Sequence, residues 1–193
     1  MTIYRSRLWV PPLVEQATAL ARRTGFESSC IPEVGRLLAM LAAGVRGGTI
    51  GEVGAGCGVG AAWLASGLAA DSRLVTVEEN GERAASAEAL FQDHSNVQVL
   101  HGDWRAILAH GPFDLLFVDA SPAKYDEPAL VVEALQPGGL VVLDDLTPEE
   151  YWPPEWRGQP DVVRAFWLND TRLMATEVRT TVRTAAILAT RLG

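Results

Sequence analysis

Apolar positions recur at helical spacing from about Pro12 to Ala43, in Leu13, Val14, Ala17 and Leu20 and again in Leu37, Leu38 and Leu41, with GFESSCIPE between them. That spacing predicts two helices joined by a loop. After Gly47 and Gly48 the rhythm changes. Strand-like runs then alternate with helix-like segments: TIGEV, AAWLASGLAA, RLVTVE, ERAASAEALFQ, NVQVL, DWRAILA and FDLLFVDA. Such alternation predicts repeated βαβ units feeding a parallel sheet. Pro137, Gly138 and Gly139 stop the next helix and turn the chain into LVVLDDL, a fifth parallel strand.

Beyond it, TPEEYWPPEWRGQP is rich in proline and tryptophan and predicts a loop, followed by a helix over DVVRAFWL with Asp161 as its cap. The tail RLMATEVRTTVRTAAILAT holds two β-like runs separated only by a short turn around Thr180 and Thr181. That is too little chain for a crossover helix, so the two should pair antiparallel. No internal repeat or low-complexity segment interrupts the pattern. We therefore expect a single domain over 1–193, with N-terminal helices over 1–46, a ligand-binding core over 47–146, and a lid loop, helix and hairpin over 147–193.

Composition narrows the function. A chain of 193 residues, 48% of them hydrophobic, can bury one substantial core without disulfides or metal. Sixteen basic against 24 acidic residues give a net charge of -8, with no lysine or arginine cluster. Phosphate backbones need a basic face, so nucleic acid is not expected as a partner. Cys30 and Cys57 are the only cysteines, and Cys57 sits inside a glycine loop, so no oxidising compartment is indicated. The N-terminal MTIYRSRLWVPPL lacks a long apolar stretch with a cleavage site, and no run approaches the roughly 18 apolar residues of a membrane span. These features predict a cytoplasmic protein with no membrane partner, and they leave a homodimer open.

The strongest motif is Glu52-Val-Gly54-Ala55-Gly56-Cys-Gly58, directly after a strand and directly before a helix. Glycines there let the backbone turn sharply and let a ligand lie against bare main chain at a helix N-terminus. The dinucleotide spacing G-x-G-x-x-G fails, because the third position falls on Val59 counted from Gly54 and on Ala61 counted from Gly56. Glu78 ends the second strand, where a carboxylate can accept from adjacent ribose hydroxyls, and Glu79 follows it. Gly102, Asp103 and Trp104 end the third strand. Asp103 can cap the next helix, and Trp104 can cover a flat ring or fill the core. Asp119, in DASPAKYDEP, closes the fourth strand, and Asp144 and Asp145 close the fifth. Three carboxylates at one sheet edge suit a hard divalent cation such as Mg²⁺. His94, His101 and His110 show no metal-ligand spacing, and no serine sits in a G-x-S-x-G elbow.

The glycine loop resembles the E/D-x-G-x-G-x-G segment of class I S-adenosylmethionine (SAM)-dependent methyltransferases. The acids after strands four and five resemble those of the small cation-dependent O-methyltransferases related to catechol and caffeoyl-CoA methyltransferases, over roughly Pro32 to Leu146. The resemblance implies an α/β fold: a Rossmann-like, doubly wound, seven-stranded sheet, mostly parallel with an antiparallel C-terminal hairpin and helices on both faces. It implies SAM at Glu52, Gly54, Ala55, Gly56, Gly58, Glu78, Glu79, Gly102, Asp103, Trp104 and Asp119, and Mg²⁺ or another divalent cation at Asp119, Asp144 and Asp145. Lys124 and Asp119 become the candidate catalytic residues, for O-methylation of a small hydroxylated, aromatic metabolite. Two departures are visible: Lys124 follows Asp119 by five residues where the family has three, and Asp145 replaces the family's asparagine. Two other readings stay open, an aminopropyltransferase-like enzyme and a non-catalytic protein that binds SAM or S-adenosylhomocysteine.

Overall fold

The computed structural model describes residues 9–26 and 28–193. Residues 1–8, to which most of the expectation about a leader applies, and Glu27 lie outside the described residues. Helix α1 (Pro12–Arg23) starts on a proline whose fixed φ suits a first turn, and it buries Val14, Ala17 and Ala21 on one stripe. Helix α2 (Pro32–Gly44) starts the same way and buries Val34, Gly35, Leu38 and Ala42. At Gly35 a Cβ would lie 2.2 Å from the Trp63 ring, so only glycine allows that ring to lie flat on the helix.

The core alternates as β1 (Thr49–Val53), α3 (Val59–Gly67), β2 (Arg73–Glu78), α4 (Gly81–Leu90), β3 (Val97–His101), a 3₁₀ segment Trp104–His110, and β4 (Phe113–Val118). Short helices α5 (Ser121–Tyr125) and α6 (Pro128–Ala134) lead into β5 (Leu135–Leu146). A 3₁₀ turn Glu149–Tyr151, α7 (Val162–Trp167), β6 (Leu173–Arg179) and β7 (Ala185–Arg191) complete the chain. The sheet order is β3-β2-β1-β4-β5-β7-β6. Strands β1 to β5 are parallel, and β7 is antiparallel to both β5 and β6. The fold is therefore the mostly parallel, seven-stranded, Rossmann-like sheet with an antiparallel C-terminal pair. Strand residues alternate between two apolar layers: Leu116 and Val118 face the layer with Trp167, and Leu115 and Phe117 face the layer with α1 and α2. Among the described residues no helix is long and apolar enough to cross a membrane.

Three local features differ from the sequence reading. DWRAILA forms a 3₁₀ helix where the alternation predicted an α-helix. Asp103 accepts from the Arg105 amide two residues on at 2.9 Å, which tightens the start. With rise near 2.0 rather than about 1.5 Å per residue, the tighter form carries so short a segment further between two strand ends. Strand β5 begins before LVVLDDL, since Leu135 pairs with Phe113 and Leu140 with Leu115. Gln136 to Gly139 loop out between those pairs, and a Cβ on Gly139 would lie 2.5 Å from the Phe113 carbonyl oxygen. The third is a second irregularity at the other end of β5. Three steps there, Leu143 to Leu146, face two on β7, Ile187 to Ala185. The extra residue is taken up at Asp145, which adopts φ 61°. Such a bulge redirects side chains, and this one does so at the carboxylate cluster.

Candidate active site

Sheet order reverses between β1 and β4, so the connections leave on opposite faces and open a crevice at the carboxyl ends of the strands. A cavity of about 340 Å³ fills that crevice over the glycine loop. Gly54 and Ala55 donate their amides to the Val77 carbonyl at 3.0 Å each, and the Gly56 amide donates to Glu78 Oε2 at 2.8 Å. Gly54 and Gly56 have φ of 95° and 53°, which L side chains seldom adopt. A Cβ on Gly56 would also lie 2.6 Å from the Phe26 ring. Gly54, Ala55 and Gly56 line the cavity, whereas Gly58 does not. Gly58 caps α3 at φ 85°, and a Cβ there would approach Phe91 and Leu90. Gly60 does line the cavity, and a Cβ there would meet Glu52 Oε1 at 2.2 Å.

The remaining predicted cofactor residues, Glu52, Glu78, Glu79, Gly102, Asp103, Trp104 and Asp119, all border this cavity. Glu78 is buried and heavily bonded: Oε1 accepts from the Asn80 amide at 2.9 Å and from Arg83 Nε and Nη2 at 2.9 and 2.6 Å. Arg83 lies 5.1 Å over the Phe26 ring, which ties the α1–α2 loop to the glycine loop. Asp103 is exposed, and Arg105 draws its carboxyl below the usual range by hydrogen bonding from backbone and side chain. Glu52 is 1% exposed, and Thr76 Oγ1 donates to its Oε2 at 2.5 Å. Burial pushes Glu52 up to about 8, against the Thr76 bond and with help from Glu78.

Buried polar atoms are ordinarily paired. Four that belong to residues bordering this cavity have no partner: Glu52 Oε1, Asp119 Oδ1, Trp104 Nε1 and Ser29 Oγ. They comprise two carboxyl oxygens, one N–H donor and one hydroxyl. An amino-acid nucleoside offers the complement, with ammonium and hydroxyl donors and with carboxylate and adenine-ring acceptors. The residues therefore fit such a cofactor.

At the ends of β4 and β5, Asp119, Asp144 and Asp145 each bring a carboxylate oxygen within 4.8 Å of the others. The bulge at Asp145 permits this, because neighbours on a regular strand point to opposite faces. Burial raises Asp119 to about 8, with Asp145, Asp144 and Glu52 adding to it and Lys124 opposing. Burial likewise raises Asp144 to about 6, where an Asp145 backbone hydrogen bond and Lys124 oppose. An all-oxygen, multiply acidic donor set of this spacing fits a hard divalent cation. Lys124 is buried on α5 rather than exposed on a loop, and its Nζ donates to the Asp144 carbonyl at 3.0 Å. It borders neither cavity, so its ammonium stands behind the carboxylates.

Sequence reasoning missed the wall from the α1–α2 loop, where Phe26, Ser28, Ser29 and Cys30 border the cavity. Nothing in GFESSCIPE carries a spacing rule. The cue was chemical, an apolar ring and small polar residues in a loop between two amphipathic helices. A second cavity, of about 270 Å³, opens on the far side of Asp145 and is bordered by Tyr125, Trp152 and Trp156. Trp152 and Trp156 thus face a cavity, whereas Phe166 and Trp167 pack edge to face with each other, Trp167 fully buried.

A mostly parallel sheet with a reversed final pair, bearing a glycine loop and strand-end acids, defines the class I methyltransferase architecture. Residues 52–146 match the family described as a methyltransferase domain. A Mycobacterium ulcerans relative with a provisional O-methyltransferase name is 37% identical over 122 residues, covering 58% of this chain and 54% of that protein. A Mycobacterium bovis relative with the same name is 33% identical over 138 residues, covering 66% of this chain and 61% of its own. The chain spans about half the length of the curated relatives it matches. Among solved structures, an O-methyltransferase from Bacillus cereus in complex with S-adenosylhomocysteine (SAH) superposes with TM-score 0.81 at 22% identity, over 98% of this chain and 94% of that one. TomG from Streptomyces achromogenes, an O-methyltransferase of tomaymycin synthesis in complex with SAM, gives 0.80 at 24% identity, over 98% and 93%. At those identities the likeness establishes the shared fold.

Proposed function

We propose that this chain is a SAM-dependent O-methyltransferase acting on a small hydroxylated, aromatic acceptor, within one domain over 1–193. The observation that carries the reading is the set of four unpaired buried polar atoms on residues that line one cavity on the glycine loop. The relatives' names and the SAM and SAH in the two solved neighbours point the same way. Glu52 and Asp119 would hold the amino-acid end of the cofactor, Gly54 to Gly56 its middle, Glu78 its ribose, and Gly102, Asp103 and Trp104 its base. SAM supplies an electrophilic methyl group. Glu78 Oε1 already has three donors, so Oε2, which holds only the Gly56 amide, is the oxygen open to a ribose hydroxyl.

Asp119, Asp144 and Asp145 would hold a divalent cation, which lowers the pKa of an acceptor hydroxyl bound beside it. The same carboxylates set where that hydroxyl stands, between the two cavities that share Asp145, and such alignment contributes much of the rate of a bimolecular transfer. Lys124 fixes the end of β5 through the Asp144 carbonyl and, standing behind the carboxylates, is our candidate to stabilise their charge as the hydroxyl proton leaves. We assign a cytoplasmic location, in keeping with two free cysteines, Cys30 and Cys57, among the described residues. Calorimetry with SAM and with SAH tests the reading: heat of binding that Gly56→Val abolishes is expected. Absence of binding by the folded wild-type protein refutes it.

A further inference from the structure

The guanidinium of Arg83 does not bridge the two oxygens of its carboxylate partner. Guanidinium and carboxylate groups commonly pair through parallel bonds, one to each oxygen. Here Arg83 Nε and Nη2 both donate to Glu78 Oε1, at 2.9 and 2.6 Å, and the Asn80 amide donates to the same oxygen at 2.9 Å. A carboxylate offers about four acceptor positions shared between its oxygens, so Oε1 is saturated. Oε2 holds the Gly56 amide alone, at 2.8 Å, and keeps a position open. Arg83 is itself held in this pose. Its amide donates to Asn80 Oδ1 at 3.0 Å in the first turn of α4, and its guanidinium carbon lies 5.1 Å from the Phe26 ring centroid, a cation–π contact. Phe26 rests in turn on the glycine loop, where a Cβ on Gly56 would meet the ring at 2.6 Å.

We propose that Arg83 is a positioning residue that restricts Glu78 to a single ribose hydroxyl, so that this protein grips the cofactor ribose by one of its hydroxyls and not by both. The proposal rests on the cofactor reading and deepens it. Glu78, Arg83 and the neighbouring acid Glu79 all line the cofactor cavity, and Glu79 is exposed. A second hydroxyl therefore meets a solvated group, where a hydrogen bond exchanges with water and contributes little. The charge-assisted bond to Oε2 of the buried Glu78 carries the discrimination.

SAH, 2′-deoxy-SAH and 3′-deoxy-SAH test this by calorimetry on the full chain at neutral pH. One deoxy compound is expected to bind at least about tenfold weaker than SAH, and the other within about threefold of it. Arg83→Met keeps an apolar stem against Phe26 but supplies no donor, which frees a position on Oε1. Both hydroxyls can then be held, and the gap between the deoxy compounds should close to within about threefold. Arg83→Lys returns a charged donor to Oε1 and should reopen the gap. A merely structural role for Arg83 would lower the affinity for all three compounds alike and leave their ratios unmoved. A gap absent in the wild-type protein, unmoved in Arg83→Met, or not reopened by Arg83→Lys overturns the proposal. The wild-type comparison decides it even where Arg83→Met fails to fold. No heat with SAH itself defeats the cofactor reading and the proposal with it, whereas SAH binding with both deoxy compounds weakened alike defeats the single-hydroxyl assignment alone.

Discussion

Replacing Glu52 by glutamine isolates one large electrostatic cost in the cofactor cavity. Burial raises this carboxyl from its ordinary 4.5 to about 8, so between those values the folded chain keeps a proton that the unfolded chain has lost. Stability falls with rising pH wherever the folded state binds the extra proton, and the slope approaches 1.4 kcal/mol per pH unit for one group, as an order of magnitude. Glu52 is fully present as a neutral, unpenalised acid below about 4.5 and loses that advantage as pH rises through about 8. Glutamine keeps the shape and can still bond Thr76, yet it does not titrate. Asp119 and Asp144 are raised in the same direction; the Asp144 contribution is common to both proteins, and that of Asp119 differs only by the Glu52 charge, the smallest of the causes that act on it. The difference in unfolding free energy between Glu52→Gln and wild type should therefore grow in favour of the variant by about 2 kcal/mol between pH 6 and pH 8. Urea denaturation of the cofactor-free proteins across that range reads it directly. Parallel curves for the two proteins would refute the reasoning, since Glu52 would then be ionised in the fold at no cost.

Glu78→Ala should weaken SAM binding by about 1 to 3 kcal/mol, measured by calorimetry, because it removes both the ribose acceptor and the partner of the Gly56 amide. Gly60→Val should abolish SAM binding in a protein that still folds by circular dichroism, since its first side-chain carbon meets Glu52 Oε1 at 2.2 Å. Asp144→Asn should lower the affinity for Mg²⁺ or Mn²⁺ by about tenfold or more in a calorimetric titration while leaving SAH affinity nearly unchanged, since Asp144 belongs to the carboxylate cluster and does not line the cofactor cavity.

Most of the sheet was legible because its signals are local. TIGEV, RLVTVE, NVQVL and FDLLFV are buried or half-buried runs of strand length between turn residues, and each became a strand where the alternation put it. The strand-end acids were legible for the same reason, since the carboxyl edge follows from strand direction alone. What escaped depends on packing across the chain. Gly58 sits in the motif like its neighbours, and only the approach of Phe91 and Leu90 shows that it faces the core. The bulge that turns Asp145 beside Asp144 comes from the β7 register, which no spacing in LVVLDDL encodes. Lys124 reads as a loop lysine until α5 and Trp167, whose indole N–H donates to the Lys124 carbonyl at 3.3 Å, bury it. Ser29 became a cavity residue only when α1 and α2 brought their connecting loop over the glycine turn.

The central claim is methyl transfer to oxygen, and the most direct test follows labelled methyl from SAM into a panel of catechols, phenols and amines, with Mg²⁺ and with EDTA. The account predicts label on a hydroxyl oxygen with Mg²⁺, its loss in EDTA, and its return when Mg²⁺ or Mn²⁺ is restored. Transfer undiminished in EDTA would contradict the role of Asp119, Asp144 and Asp145 as cation ligands, and label appearing on nitrogen, or on none of the panel while SAM is bound, would contradict the account as a whole.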